Sequence, residues 1–209
     1  MQSTPKFEFF YDCSSPWTYF AYVRAIPMMQ RLGVSIHWRP ILVGGVFNAV
    51  NQQIYAAREG MFGNEARLAH YFKDMKDWSQ LCGIKVDHPD VFPVNSVKAM
   101  RGAFFAEEQG CIVPYSLAIF EAYWGDNRDI SQDAVLADIG VSVGLDGAAL
   151  LAATSEQRHK DALRANTEEL IARGGYGSPT MFIDGDDMYF GNDRLPVVER
   201  RLVELLAAL

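Results

Sequence analysis

Apolar and polar positions follow a strand-like rhythm at both ends of this chain and a helical one through its middle. Residues 6–11 (KFEFFY) are aromatic-rich and free of Gly and Pro, which predicts a buried strand. From Ser15 the period changes. Tyr19, Phe20, Val23 and Ile26 share one face at helical spacing, Pro16 suits a first helical position, and Ser15 falls at the N-cap. Pro27 is expected to kink or end this helix, and Gly33 closes the segment. Residues 34–39 (VSIHWR) alternate again and predict a second strand, completing a β-α-β unit.

The middle reads as successive helices. One runs from Glu65 to Leu81, with Leu68, Phe72, Met75 and Leu81 near one stripe. Another, capped by Asn95 or Ser96, passes Met100, Phe104 and Phe105 and ends at Gly110. A third covers Ser116 to Trp124. Ser131 opens a helix through Val135, Leu136 and Ile139 that ends near Gly144. Asp146 opens a short helix, and Ser155 a longer one through Leu163, Leu170 and Ile171, stopped by Gly174 and Gly175. Strand rhythm then returns in Thr180–Asp184, a tight turn at Gly185-Asp186-Asp187, and Met188–Phe190. The last segment is an amphipathic helix with Leu195, Val198, Leu202, Leu205 and Leu209 inward. The order is β-α-β, a helical block, then β-β-α. With no repeat, low-complexity stretch or flexible linker in view, it favours an α/β unit carrying an inserted helical domain over two domains in tandem.

Composition narrows the function classes. The 209 residues are 49% apolar, enough for a sizeable core, and 12% aromatic, which argues against a disordered chain. Nineteen basic against 26 acidic residues leave a net charge of −7, and no basic run interleaves with aromatics, so a nucleic-acid partner is not expected. Met1 to Lys6 lacks the pattern of a signal peptide, and no apolar run approaches the roughly 20 residues of a membrane helix. Cys13, Cys82 and Cys111 are odd in number and widely spaced, pointing to a reducing compartment, read as cytoplasmic, without a disulfide framework. His37, His70, His88 and His159 show no ligand-pair spacing, so no metal site is expected.

Three constellations can carry chemistry. DCSSPWTYF (12–20) lies at a strand-to-helix junction, where unpaired N–H groups and the helix dipole stabilise an anion, and the Ser15 hydroxyl can add a hydrogen bond. The plainer reading makes Ser15 only a helix cap. GGYGSPTMF (174–182) offers a site for a cis Ser178–Pro179 bond that would present the Ser178 backbone to an extended peptide, or else an ordinary loop before an edge strand. FGNDRL (190–195) can offer helix N–H groups to a carboxylate and Asp193 to an ammonium, or else it is again a cap. Their order and spacing carry more than any one of them.

FEFFYDCSSPWTYFA, GYGSPTMFIDG and FGNDRL, with KDMKDWSQLCGI (73–84) and FPVNSVKAMR (92–101) between them, resemble the thioredoxin-like family of 2-hydroxychromene-2-carboxylate isomerases and kappa-class glutathione transferases. The resemblance implies a thioredoxin-like β-α-β … β-β-α domain formed by 1–44 and 173–209, with an all-α insertion over 45–172. The family relates to bacterial disulfide oxidases, whose CPxC motif aligns with Ser15-Pro16-Trp17-Thr18 here; both cysteines are gone, so ordinary dithiol exchange is excluded. Cys13 sits two residues too early and lacks a following proline, so it reads as a buried strand-end residue, with a reactive thiol as the rival.

The same resemblance implies glutathione as cofactor. Ser15 matches the serine that hydrogen-bonds its sulfur. Ser178, before Pro179, matches the position that pairs with the cysteinyl unit. Phe190, Gly191, Asn192 and Asp193 match the segment for the γ-glutamyl end, and Asn51 matches an asparagine on the glycyl or substrate side. The loop NQQIYAAREGMFGN (51–64) departs from relatives and is expected to line the second-substrate pocket. The implied activity is isomerisation by reversible thiolate addition to a conjugated keto acid, as in aromatic catabolism, in a homodimeric protein acting on a small electrophile. Conjugation by a kappa-like transferase and a non-catalytic glutathione or peptide binder are the alternatives. Lys73 and Arg58 are candidates to hold a substrate carboxylate, with solvated helix charges as the plainer reading.

Overall fold

A computed structural model describes residues 4–209, apart from the side chains of Arg58, Met61 and Phe62. Four strands, β1 (Phe7–Tyr11), β2 (Ile36–Pro40), β3 (Thr180–Ile183) and β4 (Asp187–Phe190), form one sheet in the order β2-β1-β3-β4. β1 pairs in parallel with β2 and antiparallel with β3, and β4 returns along β3. The α/β architecture and the strand order along the chain are those expected.

The central strand β1 is buried throughout, and its side chains serve two cores. On one face Phe9 and Tyr11 meet Trp38 of β2 and Tyr22 of α1 (Pro16–Leu32), with Phe9 5.3 Å from Trp38 and Tyr22 stacked 4.1 Å from Trp38. On the other face Phe10 packs on Phe182 beside Ile41, Val46 and Leu170, from α2 (Val43–Val50) and α9 (Gln157–Ala172) and the segment before them. Between β2 and β3 the chain also forms α3 (Gln53–Phe62), α4 (Glu65–Cys82), α5 (Val97–Glu108), α6 (Ile112–Phe120), α7 (Asp133–Ser142) and α8 (Gly147–Ser155); α10 (Leu195–Ala207) ends the fold.

Several local expectations need correcting. Pro27 does not end α1, which continues to Leu32. An interior proline costs about 3 kcal/mol, but the turn beyond it buries Met28 and Met29, each worth roughly 1.5–3 kcal/mol. The second strand starts at Ile36, not Val34. Gly33, at φ 66°, closes α1 with its N–H on Gln30 O while Val34 N–H returns to Met29 O, so Val34 still belongs to the helix cap. The inner stripe of α4 is Tyr71, Met75, Trp78 and Cys82, whereas Phe72 and Leu81 are exposed. The stripe follows Trp17 and Phe20 of α1, whose rings lie near Tyr71 and Trp78. α6 begins at Ile112, with Pro114 tolerated in its first turn, and passes into a π-helical turn at Glu121–Gly125. Leu209 lies beyond the end of α10 and is exposed, while Leu195, Val198 and Leu202 are buried.

The segment 51–64, expected as a loop, is largely helix α3. α2 precedes it despite Gly44 and Gly45, because burial of Val43 and of Val46, the latter packed with Phe10 and Phe182 of the sheet, compensates weak helix propensity. Among the described residues, no helix is long and apolar enough to cross a membrane.

Candidate functional site

The end of β1, the start of α1 and the approach to β3 meet because β1 lies between β2 and β3. Ser15 is indeed the N-cap of α1: its backbone is extended and its Oγ accepts the Thr18 N–H at 3.3 Å. The same hydroxyl donates to the Ser178 carbonyl at 3.4 Å. Both contacts are at the long end of hydrogen bonding, so the hydroxyl is placed but weakly committed. The Ser178–Pro179 bond is cis, as is Phe92–Pro93, which the sequence did not signal. Ser178 Oγ accepts the Asp12 N–H at 3.0 Å and pairs with Thr18 Oγ1 at 2.8 Å, locking the loop before β3 to the first turn of α1.

A cavity of about 290 Å³ opens at this junction. Ser15, Asn51, Ser178 and Phe190 all line it, so the structure brings together four of the residues singled out from sequence. Its walls are otherwise mostly apolar, with Trp17, Phe47, Tyr71 and Phe92 contributing rings. Asn51, at the end of α2, donates through Nδ2 to Tyr176 O at 3.1 Å, and the Tyr176 and Phe190 rings lie 4.5 Å apart. Gly191, Asn192 and Asp193 follow Phe190 in the chain but stand outside the cavity's described lining. Gly191 has φ 104° and gives its N–H to Pro179 O, Asn192 is buried with Nδ2 unpartnered among the described residues, and exposed Asp193 lies 3.7 Å from Arg194. Lys73 is exposed and pairs with Asp77 one turn along α4; the Arg58 side chain lies outside the described residues.

Sequence reasoning passed over Asp12. Its carboxylate is fully buried and accepts Ser14 N–H at 2.9 Å, Val43 N–H at 2.8 Å and Ser96 Oγ–H at 3.1 Å. One side chain thus ties the β1–α1 turn to the first turn of α2 and the start of α5. Burial pushes the carboxyl above its usual range, more than these hydrogen bonds draw it down. The available signal was an Asp directly following an aromatic-rich strand. Cys13 is buried, its N–H on Met100 Sδ and its carbonyl accepting Trp124 Nε1–H at 2.9 Å, and burial pushes its thiol well up. A thiol so placed is inert, in keeping with the strand-end reading.

Comparison with known proteins extends this geometry. The family described as DSBA-like thioredoxin domain matches residues 6–203. The chain is 28% identical over 200 residues to the 2-hydroxychromene-2-carboxylate isomerase of Pseudomonas putida, a match covering 95% of this chain and 94% of that protein. With glutathione S-transferase kappa 1 of Caenorhabditis elegans it shares 21% identity over 215 residues, covering 95% and 91% of the two chains. A solved structure of a 2-hydroxychromene-2-carboxylate isomerase superposes with a TM-score of 0.81 at 26% identity, over 96% of this chain and 95% of that one.

Proposed function

This chain belongs to the family of DSBA-like thioredoxin domains, and from that membership we propose that it is a glutathione-dependent isomerase of the 2-hydroxychromene-2-carboxylate isomerase type. The observation that carries the reading is the Ser15 hydroxyl at the mouth of α1, where disulfide oxidases of this fold carry a cysteine, opening into a cavity shared with Ser178, Asn51 and Phe190.

The residues present fit a tripeptide thiol. Ser15 has a hydroxyl with only two long bonds to give up, and the N-terminal end of α1 favours an anion. The Ser178 backbone, ahead of cis Pro179, would hold the cysteinyl unit. Asp193, exposed and only distantly paired, would take the γ-glutamyl ammonium beside Phe190, Gly191 and Asn192, and Asn51 would face the glycyl or substrate side. Bound there, glutathione would supply a thiolate nucleophile that adds reversibly to a conjugated keto acid, leaving a rotatable single bond where a double bond had been. The chain's own part is to hold the sulfur ionised through Ser15 and the α1 N-terminus, to limit water with the rings of Trp17, Phe47, Tyr71 and Phe92, and to keep the turn rigid through Asp12. The kappa-class relative favours a second outcome at the same site, conjugation, in which the carbon–sulfur bond is retained.

Ser15→Ala tests the reading. The variant should lose most of the bound thiolate's ultraviolet absorbance at neutral pH and turn over at least tenfold more slowly, since a hydrogen bond to a charged group is worth about 1.5–3 kcal/mol. Loss of the cap should cost about 1 kcal/mol of stability. Unchanged thiolate absorbance would remove the role given to Ser15.

A further inference from the structure

Away from the Ser15 cavity, α1, the end of α4 and the start of α10 surround another cavity of about 330 Å³. The two have no lining residue in common. Its walls are aliphatic: Val23, Pro27 and Met28 from α1, Leu81 from α4, and Leu195 and Pro196 from α10. Among the described residues no aromatic ring lines it, in contrast to the Ser15 cavity. Leu81 is 70% exposed, so the rim is apolar as well.

The polar groups in this cavity are unequally matched. Arg31 and Glu199 pair with each other and cancel. Arg24 is half-buried and, among the described residues, has no carboxylate partner. Its guanidinium lies 4.8 Å from the Trp78 ring, and Nη1 donates to the Asn192 carbonyl at 3.1 Å. The other N–H groups of the fork are uncommitted. A partly desolvated cation without a counter-ion favours an anion, and a planar fork matches a carboxylate. Cys82, also in the lining, cannot serve as that anion: burial pushes its thiol up more than Arg24 draws it down.

We propose that this cavity binds an aliphatic monocarboxylate, its head on Arg24 and its tail between Pro27, Met28, Leu81 and Leu195, and that the ligand acts as a positive effector of glutathione binding. The effector role rests on the glutathione reading of the site. Asn192 belongs to the segment assigned there to the γ-glutamyl end. A carboxylate that binds Arg24 as it stands favours the conformer whose Nη1 holds Asn192 O, and so stiffens that segment.

Octanoate is the probe, followed by calorimetry on the full chain. Arg24→Gln removes the cation, and Leu81→Asp sets a like charge at the exposed rim without touching the core. Each should weaken octanoate binding at least tenfold. Octanol, with the same tail and no charge, should bind at least tenfold more weakly than octanoate. Octanoate should also slow iodoacetamide alkylation of Cys82, read by mass spectrometry. Saturating octanoate should lower the glutathione Kd about fivefold, and glutathione should lower the octanoate Kd by the same factor. Leu81→Asp should keep the glutathione Kd and the melting temperature of the wild type. Absent octanoate heat, binding that survives both variants, equal affinity for octanol, or an unprotected Cys82 overturns the site. Leu81-dependent octanoate binding that leaves the glutathione Kd unmoved overturns the effector role. No glutathione heat in the wild type, together with Leu81-dependent octanoate binding, overturns the Ser15 reading and leaves the carboxylate site standing.

Discussion

Replacing Asp12 by alanine should be the most informative test of how the site is held. The variant strands Ser14 N–H, Val43 N–H and Ser96 Oγ–H, which the wild type satisfies at 2.9, 2.8 and 3.1 Å. A hydroxyl can rotate toward another acceptor; the two backbone amides cannot. Each buried, unsatisfied donor costs about 1–3 kcal/mol, which sets a loss of about 2–6 kcal/mol. Relief of the buried carboxylate's own desolvation offsets part of it, leaving about 3 kcal/mol. For a chain of this length that corresponds to a melting temperature lowered by about 6–12 °C. Asp12→Asn keeps one acceptor oxygen and should lose about half as much. The pH dependence separates charge from geometry. Because burial raises the folded-state pKa of Asp12, its contribution is full below the ordinary carboxylate range and falls as pH rises through the raised value. The stability gap between wild type and Asp12→Asn should therefore narrow from acid toward neutral pH in urea titrations. An Asp12→Ala protein melting within about 1 °C of wild type, or a gap that widens with pH, refutes the argument.

Two further predictions concern the sheet and the cleft. Glu8 is buried on β1; burial pushes its carboxyl up, but Lys6 at 3.0 Å and Arg173 at 2.9 Å outweigh that and leave it lowered, so its contribution is present above the ordinary carboxylate range and lost as pH falls through the depressed value. Glu8→Gln should cost about 3 kcal/mol at neutral pH and flatten the acid limb of the stability profile, the opposite slope to Asp12. Gly177→Ala would set a Cβ 2.7 Å from Phe190 Cε2; the displaced ring should weaken calorimetric glutathione binding about tenfold while changing the melting temperature little, and unchanged affinity would show that Phe190 is not part of that subsite.

The parts of the site most legible in the sequence were those written in adjacent residues. Ser15-Pro16 fixed a cap and a helix start, and Ser178-Pro179 a candidate cis bond, because both depend on local dihedral preference. The aromatic run of 7–11 marked the buried central strand for the same reason. Asp12 was illegible because its three partners, Ser14, Val43 and Ser96, come from segments up to 84 residues apart. α2 was missed since Gly44 and Gly45 obscure a helix that burial stabilises, and α3 since its segment was read only as a departure from relatives.

Taken alone, the chain determined the order of its strands, most of its helices and the Ser15 cap of α1, all consequences of short-range backbone preference and periodic burial. Only the tertiary structure decided which side chains share a cleft: that Asn51 and Phe190 line one cavity with Ser15, and that Gly191, Asn192 and Asp193 stand outside its lining. Those choices depend on packing two cores against one sheet, and packing is fixed by complementary shapes brought together from distant segments, which no local pattern encodes.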